Sequence, residues 1–427
     1  MKILIKNGLV VDPSQKINKI LNLEINNGIV SDLHSRKKVD DGRFDEIIDA
    51  TGLVVAPGLV DIHVHLRDPG QKHKETIATG SKAAVAGGFT SIACMPNTSP
   101  VNDRPRITKY IIDKSKRTGL VNIFPIGAIT HSLNNLKLAK ILENIKAGCV
   151  AISDDGFPVS NSNLLFNAMN LANKNSFPVI SHCEDCSFSL DGVANEGKFS
   201  RKHGLKGIPN ISEELGIIKD IAIAEYTNAH LHVCHVSTKN SVQIIKEAKK
   251  RGVNVTCEAT PHHFSISEED IKNFNSNYKM NPPLRSRKDV EAIEKGLIDG
   301  VIDIIATDHA PHSEKEKSLG FKKAPFGIIG LETALPLSLK LVHEKKISLS
   351  KLISLMSTKP SEIINIKRGT LKKGSNADLV IFDINKIVTI DKNNMNSKSK
   401  NTPFNGSKLK GKVLKTILKG KTVYSSI

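Results

Sequence analysis

The chain has no tryptophan, and aromatic residues make up only 4% of its 427 positions. It also has no apolar run near the roughly 20 residues that a membrane-spanning helix needs. Met1 leads directly into strand-like sequence, without the regions that mark a secretory signal peptide. We therefore predict a cytoplasmic protein with no membrane segment, whose core is built from Ile, Leu, Val and Ala.

Cysteine is scarce as well, with six residues that lie mostly inside strand-like runs. This placement is typical of reduced, buried thiols. Cys183 and Cys186 form a single C-x-x-C pair without a second pair elsewhere. The single pair therefore argues against a zinc ribbon, and a redox role has little support.

Acidic residues are too few to balance the basic ones, since 43 Asp and Glu stand against 61 Lys and Arg, a formal net charge of +18. Such an excess can attract nucleic acid or small anions. The lysines are scattered through predicted helices and tails and form no patch interleaved with aromatic residues. We expect a solvated basic surface that helps to attract a small anionic substrate, and no nucleic-acid partner.

Two kinds of pattern divide the chain. Residues 1–56 alternate short apolar strands with Asn-Gly and Asp-Gly turns, which is typical of antiparallel sheet. In residues 57–368, apolar runs alternate with stretches of helical period, including residues 75–86, 134–147, 212–227 and 237–251. The eight apolar runs are residues 59–62, 89–94, 121–124, 149–152, 177–180, 230–234, 253–257 and 302–306.

This alternation predicts an α/β fold, a (β/α)8 TIM-type barrel over residues 57–368. Strand-like sequence returns in residues 369–427, so we expect both termini, 1–56 and 369–427, to pair into one small β-sandwich domain beside the barrel. Residues 391–400 are rich in Asn, Lys and Ser and have no periodicity. They predict a mobile surface loop.

Histidine and aspartate are concentrated where the predicted barrel strands end, which is where a barrel carries its chemistry. His63 and His65 lie on one face of a strand and can bind one metal. Four histidines and two carboxylates can hold two divalent metals, and a water shared by both becomes a hydroxide nucleophile near neutral pH. The pattern favours metal-assisted hydrolysis or its reverse. In strand order the residues are His63 and His65, Asn97, Asp154 and Asp155, His182, His235, His262 and His263, and finally Asp308, His309 and His312.

Seven motifs extend this pattern over most of the chain. They are PGLVDIHVHLRDPG at 57–70, MPNT at 95–98, SDDG at 153–156, SHCE at 181–184, CHVS at 234–237, TDHAPH at 307–312 and NTPF at 401–404. As a set they resemble dihydroorotases of the bacterial branch of the amidohydrolase superfamily. The resemblance implies a hydrolase that interconverts N-carbamoyl-L-aspartate and L-dihydroorotate in de novo pyrimidine biosynthesis.

The resemblance also implies a binuclear zinc site. One zinc would be held by His63, His65 and Asp308, and the other by His182 and His235. In many relatives a carboxylated lysine after the fourth strand bridges the metals, but this chain has no lysine between positions 146 and 174. An aspartate is therefore the expected bridge. Asp155 is the preferred residue, with Asp154 pointing away, although the sequence leaves the reverse open.

Asp308 is implied as the catalytic residue, a proton shuttle between the bridging hydroxide and the leaving nitrogen; a metal ligand without a second role is the alternative. The carboxylate of the substrate that does not react needs a fixed cation, and the guanidinium of Arg67 suits it. Asn281 and the backbone at Phe326 and Gly327 resemble the family's contacts to the pyrimidine ring. The predicted substrate-binding residues are His65, Arg67, Asn97, Asn281, His312, Phe326 and Gly327.

Other histidines match no ligand position, namely His262, His263 and His309. His230 and His232 lie deeper in their strand, and we expect them in the core or behind the ligands. Residues 310–330 contain three glycines and a charged run, so they are compatible with a lid and equally with an ordinary charged loop.

The nearest rival keeps the barrel and changes the substrate, as in an allantoinase or a dihydropyrimidinase. Those relatives usually have the bridging lysine that this chain lacks. A second rival is a non-catalytic partner of aspartate transcarbamoylase, which would be expected to lose ligands, but all six are present. The sequence leaves open the native metal, the formation of a homodimer and any association with aspartate transcarbamoylase.

Overall fold

A computed structural model describes residues 1–35 and 40–426. The strands of this part of the chain are β1 (Lys2–Asp12), β2 (Ile17–Asn26), β3 (Ile29–His34), β4 (Glu46–Asp49), β5 (Val54–Pro57), β6 (Leu59–Val64), β7 (Phe89–Cys94), β8 (Asn122–Gly127), β9 (Ala151–Ile152), β10 (Val179–Ser181), β11 (Ala194–Asn195), β12 (Gly207–Ile208), β13 (Leu231–Val233), β14 (Val255–Ala259), β15 (Ile304–Ile305), β16 (Leu379–Thr389), β17 (Lys408–Leu418) and β18 (Lys421–Ser425).

The helices occur mainly between the strands of the middle region. They are α1 (Ile77–Ala86), α2 (Pro105–Thr118), α3 (Ile141–Lys146), α4 (Ser162–Asn175), α5 (Cys186–Ser189), α6 (Lys198–Lys202), α7 (Asn210–Thr227), α8 (Lys239–Lys250), α9 (Pro261–Ser265), α10 (Arg287–Asp299), α11 (Glu314–Lys317), α12 (Gly320–Lys323), α13 (Ala334–His343), α14 (Leu349–Ile353) and α15 (Lys359–Ile363). A π-helical turn, Ser354–Thr358, joins α14 to α15.

Eight parallel strands form the barrel, in the order β6, β7, β8, β9, β10, β13, β14, β15. The first and last strands meet just beyond their ends, where Val64 and His309 form an isolated parallel bridge. The amide of His65 also donates to the carbonyl of His309 at 2.9 Å. The predicted TIM-type barrel is therefore confirmed, and the residues that follow its strands lie at one end.

Small and branched aliphatic side chains fill the barrel because its strands are covered on both faces. Every residue of β6 and β7 is buried. The cluster inside the strand ring includes Val60, Ile62, Ala93, Ile180 and Ile304. This agrees with the core expected from a sequence so poor in aromatic residues.

One predicted helix is much shorter than expected. Residues 134–147 are helical only in α3, because the residues before it form a loop held by backbone hydrogen bonds. In one of these bonds the amide of Ala139 donates to the carbonyl of Ile129 at 2.8 Å. The helix predicted over 75–86 begins at Ile77, where Thr76 and Thr79 form a capping box. The helices predicted over 212–227 and 237–251 are confirmed as α7 and α8 within two residues.

Strands from both termini form a second, mixed sheet. Its order is β18, β17, β16, β5, β1, β2, β3, with β4 also pairing with β1. The join between the termini is the antiparallel pairing of β5 with β16, in which Val55 lies opposite Ile381. The prediction that the two ends of the chain build one β domain is confirmed, and its strands form a continuous sheet of eight.

The segment between β16 and β17, which we call the crossover segment (residues 390–407), leaves this sheet and lies against the barrel. Ser397 and Ser399 are buried within it. Ser397 donates to Glu75 at 2.5 Å, and Ser399 donates to the carbonyl of Lys74 at 2.6 Å. The prediction of a surface loop over 391–400 is therefore wrong for these residues.

All six cysteines are free thiols, and five of them are buried, with Cys186 exposed. This agrees with the reduced thiols expected from the sequence. Within the described part of the chain, no helix has the length and apolar character needed to cross a membrane.

Candidate active site

Six buried side chains converge at the end of the barrel where the strands stop. They come from β6 and from the residues that follow β6, β9, β10, β13 and β15. We call them the ligand cluster: His63, His65, Asp155, His182, His235 and Asp308.

Asp155 lies at the centre of the ligand cluster. Its Oδ1 is 3.4 Å from His63 Nε2 and 3.8 Å from both His182 Nδ1 and His235 Nε2. Its Oδ2 is 3.4 Å from His65 Nε2. One carboxylate thus faces all four imidazoles.

Asp154 points the other way. Its carboxylate accepts hydrogen bonds from the amides of Ile129 at 2.8 Å and Thr130 at 3.1 Å, and from the Thr130 hydroxyl. These bonds hold the loop after β8. The two adjacent aspartates therefore have different surroundings, and only Asp155 faces the histidines.

Asp308 faces the histidines of β6, with its Oδ1 3.0 Å from His65 Nε2 and 3.4 Å from His63 Nε2. The backbone at this end of the barrel is unusual, since Arg67, His235 and Asp308 have φ angles of 56°, 30° and 44°. Residues other than glycine rarely adopt such φ angles, and the residues that do are concentrated at functional sites. Here they turn side chains at strand ends toward one point.

Three of the four imidazoles have a partner on the nitrogen that faces away from Asp155. His63 Nδ1 bonds Glu258, His65 Nδ1 lies 2.9 Å from Asn97 Oδ1, and His182 Nε2 lies 2.8 Å from Glu184 Oε2. Such partners fix the ring orientation and the tautomer of metal-binding histidines. In each ring the other nitrogen is left facing the centre of the cluster.

Glu184 and Glu258 were not predicted from the sequence as functional residues. Glu184 stands in the SHCE motif, two residues after His182, which was the available signal. Glu258 lies inside β14, where a fully buried acid in an apolar run is itself unusual. Glu258 also accepts a bond from His232 Nε2 at 3.1 Å, so His232 lies behind the ligands, as expected.

The electrostatics of the cluster favour a positive charge. Burial alone would lower the pKa of His63, but Glu258 first, and then Asp155 and Asp308, raise it well above its ordinary value. Burial would likewise raise the pKa of Asp155 and Asp308, yet the charge of His63, together with the hydrogen bonds and charges of the neighbouring histidines, lowers both. The buried carboxylates therefore create a site that a cation would stabilise.

The donor set fits a divalent metal. Ligand atoms of His63, His65 and Asp308 lie within 4.8 Å of one another, and so do those of His63, Asp155, Cys234 and His235. Among the described residues, His63 Nε2 and Asp155 Oδ1 are buried and have no hydrogen-bond partner. Imidazole nitrogen and carboxylate oxygen are the ligands that zinc accepts.

Cys234 is the one member of these groups that was not expected. Burial raises the pKa of its thiol, so the group stays protonated near neutral pH.

Arg67 lies next to the ligand cluster and is buried. Its Nε donates to the carbonyl of Pro311 and its Nη2 to His312 Nε2, both at 3.3 Å. Burial lowers the pKa of Arg67 to about 10, so the guanidinium remains charged at neutral pH. Burial and the charge of Arg67 lower the pKa of His312, which keeps that ring neutral and able to accept.

The other predicted substrate-binding residues lie around this pair and the cluster. Asn97 also donates to the carbonyl of Asp155 at 3.2 Å, and Asn281 donates to Glu184 at 3.0 Å. The ring of Phe326 lies 4.6 Å from Lys279 Nζ. Gly327 packs so tightly that a Cβ there would lie 2.7 Å from Cδ2 of His312.

Residues 310–330 form a packed segment that includes α11 and α12. Lys317 is buried, and its Nζ donates to the carbonyls of Ser276 at 3.0 Å and Pro325 at 2.9 Å. Phe321 packs against Phe199 with ring centroids 5.3 Å apart. In this structure the segment is anchored by a buried cation and an aromatic contact.

Two of the histidines without an expected ligand role, His263 and His309, have partners outside the cluster, whereas His262 Nε2 is buried without a hydrogen-bond partner among the described residues. His309 lies 3.4 Å from Glu75 and accepts from the amide of Gly330 at 3.2 Å. His263 bonds the Thr260 hydroxyl at 2.7 Å and the carbonyl of Pro282 at 2.9 Å. These two residues hold loops in place.

Comparison with known proteins agrees with this geometry. A family described as Dihydro-orotase-like matches residues 52–241, and one described as Amidohydrolase family matches residues 339–424. A dihydroorotase from Geobacter metallireducens is 50% identical over 424 residues, which cover 99% of this chain and 100% of that protein. A dihydroorotase from Acetivibrio thermocellus is 49% identical over 421 residues, 98% of each chain.

Solved structures similar to this one include the L-hydantoinase (dihydropyrimidinase) from Arthrobacter aurescens. It aligns with a TM-score of 0.88 and 26% identity, over 99% of this chain and 96% of that one. The dihydropyrimidinase from Brevibacillus agri aligns with a TM-score of 0.84 and 24% identity, over 100% and 95%, and shows the shared fold. With full-length relatives at half identity, the chain belongs to the dihydroorotase family and is a cyclic amidohydrolase.

Proposed function

We propose that this chain is a dihydroorotase, which interconverts N-carbamoyl-L-aspartate and L-dihydroorotate with two zinc ions held by the ligand cluster. The observation that carries the proposal is the position of the buried Arg67–His312 pair directly beside that cluster. A metal site there would act on one group of a substrate while a fixed cation holds another. The names of the relatives that are half identical over the full length support the same substrate.

The substrate chemistry matches the Arg67 side of the site. N-carbamoyl-L-aspartate has two carboxylates, of which one reacts and the other is retained in the ring product. A guanidinium binds a carboxylate through two parallel hydrogen bonds, which fixes its orientation as well as its charge. We assign that role to Arg67, with Asn97 and His312 as neighbours, and we assign the ring contacts to Asn281, Phe326 and Gly327.

The zinc ligands in this proposal are His63, His65 and Asp308 for one ion, His182 and His235 for the other, and Asp155 between them. When bound, the ions would supply an activated water and polarise the carbonyl group that reacts. Glu258 and Glu184 would keep the imidazoles of His63 and His182 oriented for that purpose, through the bonds on their outward nitrogens.

Asp308 is proposed to move the proton. In ring opening it would accept a proton from the attacking water and deliver it to the ring nitrogen that leaves. In ring closure the same carboxylate would take the proton from the carbamoyl nitrogen as that atom attacks the carboxylate carbon, and would pass it to the departing oxygen. That oxygen would leave as hydroxide and become water with a second proton taken from the solvent. Its Oδ1 lies 3.0 Å from Nε2 of His65, the ligand two residues before Arg67 in the sequence.

The rival function is that of the hydantoinases, which share the fold. Their ring substrates, hydantoins and dihydropyrimidines, lack the carboxylate that dihydroorotate has. Arg67 would then have no carboxylate of the substrate to bind. Dihydroorotase activity therefore gives Arg67 a substrate group to bind, and hydantoinase activity does not.

The test is a substrate comparison with zinc-loaded protein. We expect ring formation from N-carbamoyl-L-aspartate at mildly acidic pH and ring opening of L-dihydroorotate at higher pH, each lost after the metal is removed and recovered when zinc returns. Dihydrouracil, hydantoin and allantoin should be turned over far more slowly. Rapid turnover of one of these with none of dihydroorotate would refute the proposal.

Metal content gives a readout independent of activity. His235→Ala should lose bound zinc, because it removes a nitrogen that faces Asp155. His230→Gln is the matched control, since His230 precedes the same strand but bonds Thr256 at 2.9 Å, away from the cluster. Equal zinc content in the two variants would contradict the ligand assignment.

A further inference from the structure

Asn401, in the crossover segment, lies beneath the loop that carries His312. It is 2% exposed and belongs to the NTPF motif, to which the proposed chemistry gives no role. Its Oδ1 accepts from the amide of His312 at 3.0 Å. Its Nδ2 donates to the carbonyls of Ala310 and Gly327, both at 3.0 Å.

These bonds use both hydrogens of the amide and one lone pair of its oxygen. The backbone of Asn401 adds a fourth bond, since its carbonyl accepts from the amide of Ile329 at 3.0 Å. One residue thus bonds both ends of the 310–329 loop, which are far apart in sequence but adjacent in space. The partners at one end are Ala310 and His312, and at the other Gly327 and Ile329.

Both ends hold residues assigned to substrate binding. His312 is the partner of Arg67, and Gly327 packs directly on the His312 ring. The four bonds of Asn401 go to the loop and not to Arg67 or the ligand cluster, so Asn401 acts through the loop. Because it comes from the segment between β16 and β17, it links the terminal sheet to the substrate side of the barrel.

We propose that Asn401 is a positioning residue, which clamps the two ends of the 310–329 loop so that His312 and Gly327 stay in register beside Arg67. This role of Asn401 rests on the proposed function, which supplies the substrate. It goes beyond that function because substrate binding would then depend on a segment outside the barrel. Losing the clamp should weaken substrate binding and leave the metal ligands in place.

Two variants test the clamp. Asn401→Ala removes all three side-chain bonds. Asn401→Asp keeps the shape of the side chain, but it replaces the amide nitrogen that donates to two carbonyls with a carboxylate oxygen that cannot donate. Interactions made equally in the ground and transition states change KM more than kcat. We expect KM for dihydroorotate to rise about tenfold or more in both variants, with kcat within about threefold and zinc content unchanged.

The matched control is Asn396→Ala. Asn396 lies in the same segment, but its amide and side chain bond Glu332, at 2.8 and 2.9 Å, and not the loop. A purely structural role for the segment would lower the fraction of active protein, and hence kcat, in Asn396→Ala and Asn401→Ala alike. The proposal expects KM to change only in the Asn401 variants.

Hydrogen exchange measured by mass spectrometry provides a readout that does not need a substrate. Peptides from residues 310–330 should exchange faster in both Asn401 variants and as in the wild type in Asn396→Ala, while barrel strands remain protected in all three. Unchanged exchange together with an unchanged KM would overturn the clamp. A wild-type protein inactive on dihydroorotate would count against the proposed function, and the exchange comparison would still decide whether Asn401 holds the loop.

Discussion

The two sides of the site are built differently. The ligand cluster lies on or just after barrel strands, and its histidines are held by side chains of the barrel, such as the buried Glu258 and the partly buried Asn97. On the substrate side, His312 and Gly327 lie on the long loop after β15 and bond Asn401 from another part of the chain, whereas Arg67 and Asn97 follow β6 and β7. In the proposed function, metal binding would therefore depend on the barrel, and part of substrate recognition would depend on how the loop is held.

The largest effect should come from Asp308→Asn. If Asp308 moves the proton, the amide should lower kcat by about 10²- to 10⁴-fold, the range for general acid–base groups. The control is Asp303→Asn at the other end of β15, where the carboxylate bonds Lys249 at 2.5 Å and only supports the fold. Steady-state kinetics with measured zinc content check this, and a near-normal kcat in Asp308→Asn would remove the shuttle.

Arg67→Met tests the substrate side directly. It removes a charge-assisted interaction with the substrate, so kcat/KM should fall by roughly 100-fold. Bound zinc should stay as in the wild type, because Arg67 is not a ligand in the proposal. Arg104→Met is the control, since Arg104 is half exposed and paired with Asp103 at 2.7 Å. An unchanged kcat/KM in Arg67→Met would place the carboxylate of the substrate elsewhere.

The sequence was a better guide to the ligand side than to the substrate side. The eight runs predicted the barrel, and in a barrel the strand ends meet, so His63 and Asp308 could be brought together without a structure. The supporting residues were harder, because Glu258 becomes a partner of His63 only through the packing of β6 near β14. The contacts of Asn401 with the 310–329 loop could not be predicted, since nothing local in the sequence of the crossover segment shows that it lies on the barrel.

The asymmetry between Asp154 and Asp155 has a similar cause. Both follow β9, and the sequence only favours one of them as the residue that faces the histidines. In the structure the amides of Ile129 and Thr130 bond Asp154, and those bonds depend on the neighbouring strand. Local sequence therefore predicted the pair, and tertiary contacts determine the direction of each side chain.

Glu258→Gln should affect the metal side alone. The amide can still bond His63 but loses the charge that stabilises the imidazole, so zinc affinity should fall by about 10- to 100-fold. Titration with a chelator measures this, and KM for dihydroorotate in fully loaded protein should change little. Glu225→Gln, at an exposed pair with Arg251, serves as the control. A selective rise in KM would show that the two sides are not separable.

Gly327→Ala should give the smallest effect, and on the substrate side. The added methyl group would meet the carbonyl of Ala310 at 2.5 Å and the His312 ring, so the loop must shift and KM should rise about tenfold. Gly252→Ala is the control, because it also adds a methyl group at a positive φ, +84° against +153° at Gly327, but nothing lies within 4 Å of that group. It should lower stability slightly and leave KM unchanged. If both variants had the same KM, close packing at Gly327 would not matter for recognition.

A crystal structure of the zinc-loaded protein with L-dihydroorotate tests the division of the site most directly. Anomalous scattering at the zinc edge should place two ions within the ligand cluster, with Asp155 between them. The carboxylate of dihydroorotate should lie on Arg67, with His312 and Asn97 beside it. A carboxylate bound to the metals, or zinc bound away from the cluster, would contradict the account.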